Sequence, residues 1–192
     1  MTVTWPAGSD ATSGVSGYEL QRQIDSGPWV TALTTSARSV RVGETFGHLY
    51  QYRLRSRDAA GNWSGWATTA AERSGVFQES STAIRWTGTW TRYSYANASG
   101  GATRWSATNG ARAQLSTSAR AIAIVAPLGP TRGQAGVYVD GVYKGLVSLY
   151  RSTGLSRSIV YVATFPSVAA HRIEFRVSGT RRVDLDAFVI LR

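Results

Sequence analysis

The sequence predicts an all-β protein built from antiparallel β-sandwiches, and three observations carry that expectation. The first is a hairpin signature at Gly136–Tyr150, GVYVDGVYKGLVSLY, where Asp140-Gly141 supplies a two-residue turn between alternating valines. The second is strict two-residue alternation in two stretches. In His171–Ser178, Ile173, Phe175 and Val177 point one way and Arg172, Glu174 and Arg176 the other; in Tyr50–Asp58, Tyr50, Tyr52 and Leu54 oppose Arg53, Arg55 and Arg57. The third is punctuation. The chain has 20 glycines, its turn signals recur about every 8–12 residues, and no helical periodicity lasts beyond about two turns.

Within the hairpin, a type I′ turn at Asp140-Gly141 places Tyr138 opposite Tyr143, on the face away from Val139 and Val142. The apolar positions then fall at Val147 and Leu149, a change of parity that predicts a β-bulge near Lys144-Gly145. A hairpin alone is marginal, so strands from both sides in sequence must cover its apolar face.

From the N-terminus, Val3 and Trp5 alternate before the turn-rich PAGSDATSG. Tyr18, Leu20 and Arg22 share one strand parity, Asp25-Ser26-Gly27-Pro28 is a turn, and further strands are expected from Trp29, over Ser39–Val42 and over Tyr50–Asp58. VTWPAGSDATSGVSGYELQRQ, then SGPW and YQYRLRSRDAAGNWSGWA, resemble a bacterial fibronectin type III module over residues 1–74. The resemblance implies a buried Trp5, a tyrosine corner at Tyr50, and a spacer role. Members of that family carry a strand before the position of Val3. By that comparison an edge strand is missing or supplied from elsewhere, and the chain is a fragment of something longer with covalently linked upstream domains.

Ala70–Phe77 loses strong alternation, which puts a domain boundary near Ser74–Val76. Beyond it, strands are expected near Ile84–Trp90, Ala111–Leu115, Ala119–Ala126, Ala135–Val139, Leu146–Tyr150, Ile159–Phe165, His171–Ser178 and Val183–Leu191. The longest gap between them is the loop YSYANASGGATRWSATNGA. ESSTAIRWTGTW, AGVYVDGVYKGLVSLY, AHRIEFRVSG and VDLDAFVIL resemble a galactose-binding-domain-like jelly roll over residues 77–192. Such modules are the non-catalytic companions of secreted bacterial glycosidases and surface proteins, which implies an extracellular or cell-surface location. Some hold a structural calcium, for which Glu79 and Asp186 are the candidates here; no other cofactor is expected.

The formal net charge is +10 and Lys144 is the only lysine. Such a field can attract polyanions, yet the arginines sit on outward strand parities, where solvated charges belong, and no helix, zinc site or basic loop accompanies them. Specific nucleic-acid binding is therefore not expected. No stretch of about 20 apolar residues suggests a membrane span. Zero cysteines exclude disulfides and thiol catalysis. His48 and His171 lie in different predicted modules, no nucleophile elbow or phosphate loop occurs, and the chain is not expected to be an enzyme. Asp184 and Asp186 share a strand face, which suits either a glycosidase carboxylate pair or structural hydrogen bonding.

Sugar binding asks only for a flat aromatic face and a few fixed polar groups. Trp105 beside Arg104, with Tyr93 and Tyr95 in the same glycine-rich loop and Tyr138 on the hairpin, are the ligand-binding candidates for a polysaccharide or cell-surface glycan. Trp86 and Trp90 share parity with Ile84 and belong to the core. Two readings stay open. Trp105 stacks on a ligand in a carbohydrate-binding accessory region, or it packs at the interdomain contact in a purely structural or protein-binding segment.

Overall fold

Strand follows strand through the computed structural model, which describes residues 2–192 and contains no helix among them. The chain divides into two units, Met1–Ser74 and Gly75–Arg192.

In the first unit, β1 (Thr2–Thr4) is a short strand, and β2 (Val15–Ile24) lies between β3 (Val30–Thr35) and β5 (Leu49–Asp58) in antiparallel register. β4 (Ser39–Arg41) pairs with β1, and β6 (Ala67–Thr68) pairs with β5. Leu20, Tyr50 and Tyr52 form its buried cluster, flanked by partly buried Val3, Ile24, Val40, Val42 and Leu54. The hydroxyl of Tyr50 accepts the Thr45 N–H at 2.9 Å. Trp5 is half-buried, not buried as expected, and meets Tyr18 edge-on at 5.8 Å between ring centroids.

The outward arginines of β5 also depart from expectation, because they are stacked and not simply solvated. Arg53 lies 4.5 Å from the Trp29 ring and 4.3 Å from Trp66; Arg55 lies 4.5 Å from Trp66 and 4.3 Å from Trp63. Arg57 completes the ladder over Trp63 at 5.5 Å. Glu19 pairs with Arg55, and Gln21 accepts two hydrogen bonds from Arg53. The alternation was legible, but the rings that come from Trp29 and from WSGWA to sandwich these cations are brought there by tertiary folding.

The stretch expected to be irregular is a strand. β7 (Glu72–Gln78) begins opposite Tyr50 and Leu49 of β5 and continues past Ser74 into the second unit. There follow β8 (Ile84–Thr87), β9 (Thr91–Ser94), β10 (Ala102–Ser106), the long β11 (Arg112–Leu128), the hairpin β12 (Gln134–Val139) and β13 (Val142–Ser148), the longer β14 (Leu155–Ser178), and β15 (Val183–Leu185) and β16 (Ala187–Leu191).

Two pairs of expected strands are each one element. Ala111–Leu115 and Ala119–Ala126 merge into β11, and Ile159–Phe165 and His171–Ser178 merge into β14. The seam is a register break: Ala119 faces Ala169, but Ala121 faces Thr164. Pro166, which has no N–H to give a ladder, lies in the unpaired stretch. On one side of the break β11 pairs with β8, and on the other with β16, so a single strand serves two sheets of an antiparallel sandwich. Ile122, Ile124, Leu115, Val137, Ile173, Phe175 and Phe188 fill the space between them. Trp86 and Trp90 are partly buried against this core.

The hairpin is as the sequence indicates. Asp140 and Gly141 have φ of 51° and 83°, Tyr138 faces Tyr143, and the register slips between that pair and Val137–Gly145, which leaves Lys144 as the bulge residue. Asp140 also accepts the Arg172 N–H at 2.8 Å and meets His171 Nδ1 at 2.7 Å. Glu174, expected to point into solvent, is buried on the outer face because arginines and Tyr138 close over it.

Two measurements follow from this architecture. Among the described residues the buried cluster of the first unit has three members and that of the second has twenty, so amide exchange in the full chain should be faster in β2 and β5 than in the centre of β11 and β14. The Asp140 carboxyl is held below its ordinary range by the Arg172 N–H first and His171 second. A depressed carboxylate stabilises the fold above its unfolded value, 3.8, and that contribution fades as pH falls through the lower folded value. Asp140→Asn keeps a turn-compatible residue, so acid unfolding followed by circular dichroism should show a smaller loss of stability below about pH 4 than in the wild type.

Candidate functional site

β9, β10 and β15 form a three-stranded sheet, and its pairing sets the most developed side-chain cluster of the second unit. Thr103 faces Tyr93, and Trp105 faces Thr91 on one side and Asp184 on the other, so Tyr93, Trp105 and Asp184 emerge on the same face. Arg182, just ahead of β15, lays its guanidinium 4.7 Å from the Tyr93 ring centroid and 4.9 Å from that of Trp105. Asp184 anchors it. This fully buried carboxylate accepts Arg182 Nε at 3.0 Å, pairs with Arg132 at 2.6 Å, and takes the Thr103 hydroxyl at 3.2 Å. A buried charge is tolerated only when paired and hydrogen-bonded in this way, which makes the arrangement rigid.

Tyr95 is beside Tyr93 at 6.5 Å between centroids and is tied by its hydroxyl to Ser156 Oγ at 2.6 Å. Tyr93 remains 47% exposed. Arg132 carries the cluster into a neighbouring cavity of about 310 Å³, lined by Gln134, Ser148, Tyr150, Ser178, Thr180 and Arg181 among others. The Tyr150 ring is exposed there. Flat aromatic surfaces, hydroxyls, an amide and pre-positioned guanidinium donors can together meet both the apolar face and the hydroxyl rim of a sugar.

The sequence-predicted site residues are therefore divided among three places. Tyr93, Tyr95 and Trp105 come together, but Trp105 is a half-buried residue of β10 and not of a loop, and Arg182 covers part of its ring. Arg104 does not join them. The residue after Thr103 points to the opposite face of β10, where its guanidinium is 5.0 Å from the Trp86 ring. Tyr138 is on the hairpin, under Arg176 at 4.0 Å. Arg132, Arg182 and Tyr150 were missed. The i, i+2 spacing of Arg182 and Asp184 was a visible signal; the approach of Arg132 and Tyr150 was not.

Asp184 and Asp186 serve different partners. Asp186 is buried, accepts the Ser99 N–H at 2.9 Å, and is pushed above the ordinary carboxylate range by burial, with Glu79 adding to the shift. Glu79 pairs with Arg92 through Oε1, while its Oε2 is buried without a hydrogen-bond partner, as is Gln78 Oε1. Carboxylate and amide oxygens are the ligand type calcium takes, and two of the carboxylates interact here. Among the described residues no group of three or more His, Cys, Asp or Glu gathers around a metal position, so amide and backbone carbonyl oxygens would complete the roughly six to eight ligands calcium takes. Glu79 and Asp186 would hold the ion, and its charge would relieve the confrontation of two buried carboxylates.

No protein-family profile matches the chain. A stretch of 63 residues is 38% identical to part of Endoglucanase B of Cellulomonas fimi, covering 33% of this chain and 6% of that protein. Among solved structures, the CBM36-1 domain of a multidomain xylanase from the hindgut metagenome of Trinervitermes trinervoides aligns over 62% of this chain and 96% of its own, at 13% identity and a TM-score of 0.44. The catalytic domain of a GH87 alpha-1,3-glucanase in complex with nigerose aligns over 61% of this chain and 28% of its own, at 15% identity and a TM-score of 0.44. Likenesses at this TM-score do not establish a shared fold.

Calcium added to chelator-treated protein should raise the thermal midpoint by several degrees, since an ion that binds only the folded state stabilises it by mass action. Asp186→Asn should lose that response. Differential scanning calorimetry with and without the ion reads both.

Proposed function

We propose that this chain is a non-catalytic, glycan-binding accessory region of a longer extracellular protein. Residues 77–192 act as a galactose-binding-like jelly roll that carries the sugar site, and residues 1–74 as a fibronectin type III-like spacer. The observation that supports this best is the Tyr93–Arg182–Trp105 stack, locked by the buried Asp184 and continuous through Arg132 with the Tyr150 cavity. A site with rigid aromatic and guanidinium groups loses little freedom on binding a flexible saccharide. Exposed Tyr93 and Tyr150 offer ring faces to pyranoses, and Gln134, Ser148, Ser178 and Thr180 offer groups for their hydroxyls. The local likeness to an endoglucanase, limited to 6% of that protein, suits an accessory segment attached to a polysaccharide-acting enzyme. The Tyr50–Thr45 hydrogen bond is of the kind a tyrosine corner makes, which supports the spacer assignment.

Affinity should be in the micromolar to millimolar range, because desolvation and ordering offset most of the contact energy of one or two stacked rings. Calorimetric titration with cello-, xylo- and galacto-oligosaccharides should find at least one ligand whose binding survives moderate salt. Tyr93→Ala and Tyr150→Ala should each weaken it about tenfold or more, equivalent to about 1.4 kcal/mol. Absence of binding to every neutral oligosaccharide, with both variants folded as the wild type, would sink the reading.

A further inference from the structure

On the far side of the hairpin sheet, one row of side chains runs across five strands. Tyr143 of β13 faces Tyr138 of β12, which faces Glu174 of β14; Glu174 faces Gln114 of β11, and Gln114 faces Arg85 of β8. The adjacent row is Gly136, Arg176 and Arg112. Since residues directly opposite in antiparallel strands share a face, these side chains make a single polar surface away from the core. It is hollowed into a cavity of about 240 Å³ bounded by Arg112, Gln114, Tyr138, Gly141, Arg172, Glu174 and Arg176.

Charge in this cavity is not balanced. Glu174 is buried, and it is already engaged by Gln114 Nε2 and by Arg176 Nε and Nη2. Arg176 is held in turn by the Tyr138 hydroxyl at 3.2 Å and lies flat over that ring at 4.0 Å. One carboxylate thus faces two guanidiniums and orients the nearer, Arg176. Arg112 forms a longer ion pair with the same carboxylate, its Nε 3.9 Å from Glu174, buried and without a hydrogen bond. Arg172 is anchored by its backbone N–H to Asp140, and its charge also favours that carboxylate's ionised form, while its exposed guanidinium makes no hydrogen bond among the described residues. Asp140 is the other acid in the neighbourhood, and it is committed to the hairpin turn and His171. Gly141 lines the cavity at a φ of 83° that excludes most side chains, and a Cβ there would come within 3.6 Å of Arg172.

We propose that this cavity is a second binding site, specific for an oxyanion carried on a glycan, a uronate carboxylate or a sulfate ester. Arg112 and Arg172 supply guanidinium donors that no hydrogen bond uses among the described residues, and their fork geometry suits two oxygens of a carboxylate or of a sulfate ester. Arg176, fixed by Glu174 and Tyr138, contributes a third positive wall. The cavity is smaller than the roughly 300–1,000 Å³ of drug-sized pockets, which matches one charged ring and not a long chain. Its glycan context rests on the function proposed above, but its chemistry is independent of the Trp105 cluster.

The test uses the full chain and three probes: trigalacturonate, its methyl ester, and a sulfated galactose disaccharide. Trigalacturonate should bind and its ester should not, and Arg172→Gln and Arg112→Gln should each weaken acid binding about tenfold. Arg172 is exposed, so its variant is expected to fold. Trp105→Ala should leave acid binding unchanged. Binding of the sulfated disaccharide with the same dependence on Arg172 would show that the site also takes sulfate, and its absence would restrict it to carboxylate. Equal binding of acid and ester, indifference to Arg172→Gln, or equally tight capture of a single-stranded oligonucleotide would overturn the proposal. Loss of neutral-glycan binding in Tyr93→Ala is read separately, so either site can fail without the other.

Discussion

The pairing of β11 with β14 is the constraint on which the second unit depends. These are its two longest strands, and they stay antiparallel from Arg112–Arg176 to Leu128–Leu155 despite three register irregularities. Each irregularity bends the pair, and the largest lets both strands pass from one sheet to the other. The hairpin face and the Tyr150 cavity are attached to that pair, while the Tyr93–Trp105 cluster is on the three-stranded sheet of β9, β10 and β15. One end of β14 carries Glu174 and Arg176 beside the β12–β13 hairpin. The other end of the β11–β14 pair, at Leu128 and Leu155, adjoins the loops that bring Arg132 and Tyr150 together.

Arginine does a second kind of structural work throughout the chain. In the first unit Arg53, Arg55 and Arg57 interleave with Trp29, Trp66 and Trp63; in the second, Arg182 joins Tyr93 to Trp105, Arg176 covers Tyr138 and Arg104 covers Trp86. A guanidinium is planar and weakly hydrated, so it stacks on a ring while still donating at its edge. Lysine does neither as well. A formal charge of +10 therefore does not describe a uniform basic field, because several of the cations are held by rings and carboxylates. Arg112 and Arg172 differ from those cations in that no ring stacks on them and no side-chain hydrogen bond holds them among the described residues, while both border one cavity.

Alternation was legible wherever a strand buries one face. His171–Ser178 placed Ile173, Phe175 and Val177 inward, and Asp140-Gly141 fixed the Tyr138–Tyr143 pairing, because period-two geometry and turn stereochemistry are local properties. Boundaries were less legible. The stretch around Ser74 has small and charged residues and no strong alternation, yet β7 runs through it, since neighbouring strands supply pairing that composition does not reveal. Trp105 shows the same effect. Glycine and serine around it suggested a loop, but β9 and β15 recruit Ala102–Ser106 as a central strand.

The sequence by itself determined the all-β class, the hairpin with its bulge, the inward faces of the strong strands and the grouping of Tyr93, Tyr95 and Trp105. These depend on side-chain periodicity and on the turn chemistry of a few adjacent residues. Only the tertiary structure decided that Arg182 and not Arg104 accompanies Trp105, that Arg132 shares Asp184, and that Glu174 is buried beneath arginine and tyrosine. Those outcomes hang on which strands become neighbours. A one-residue step along a strand moves a side chain to the other face, and the partner across the sheet comes from a distant part of the chain.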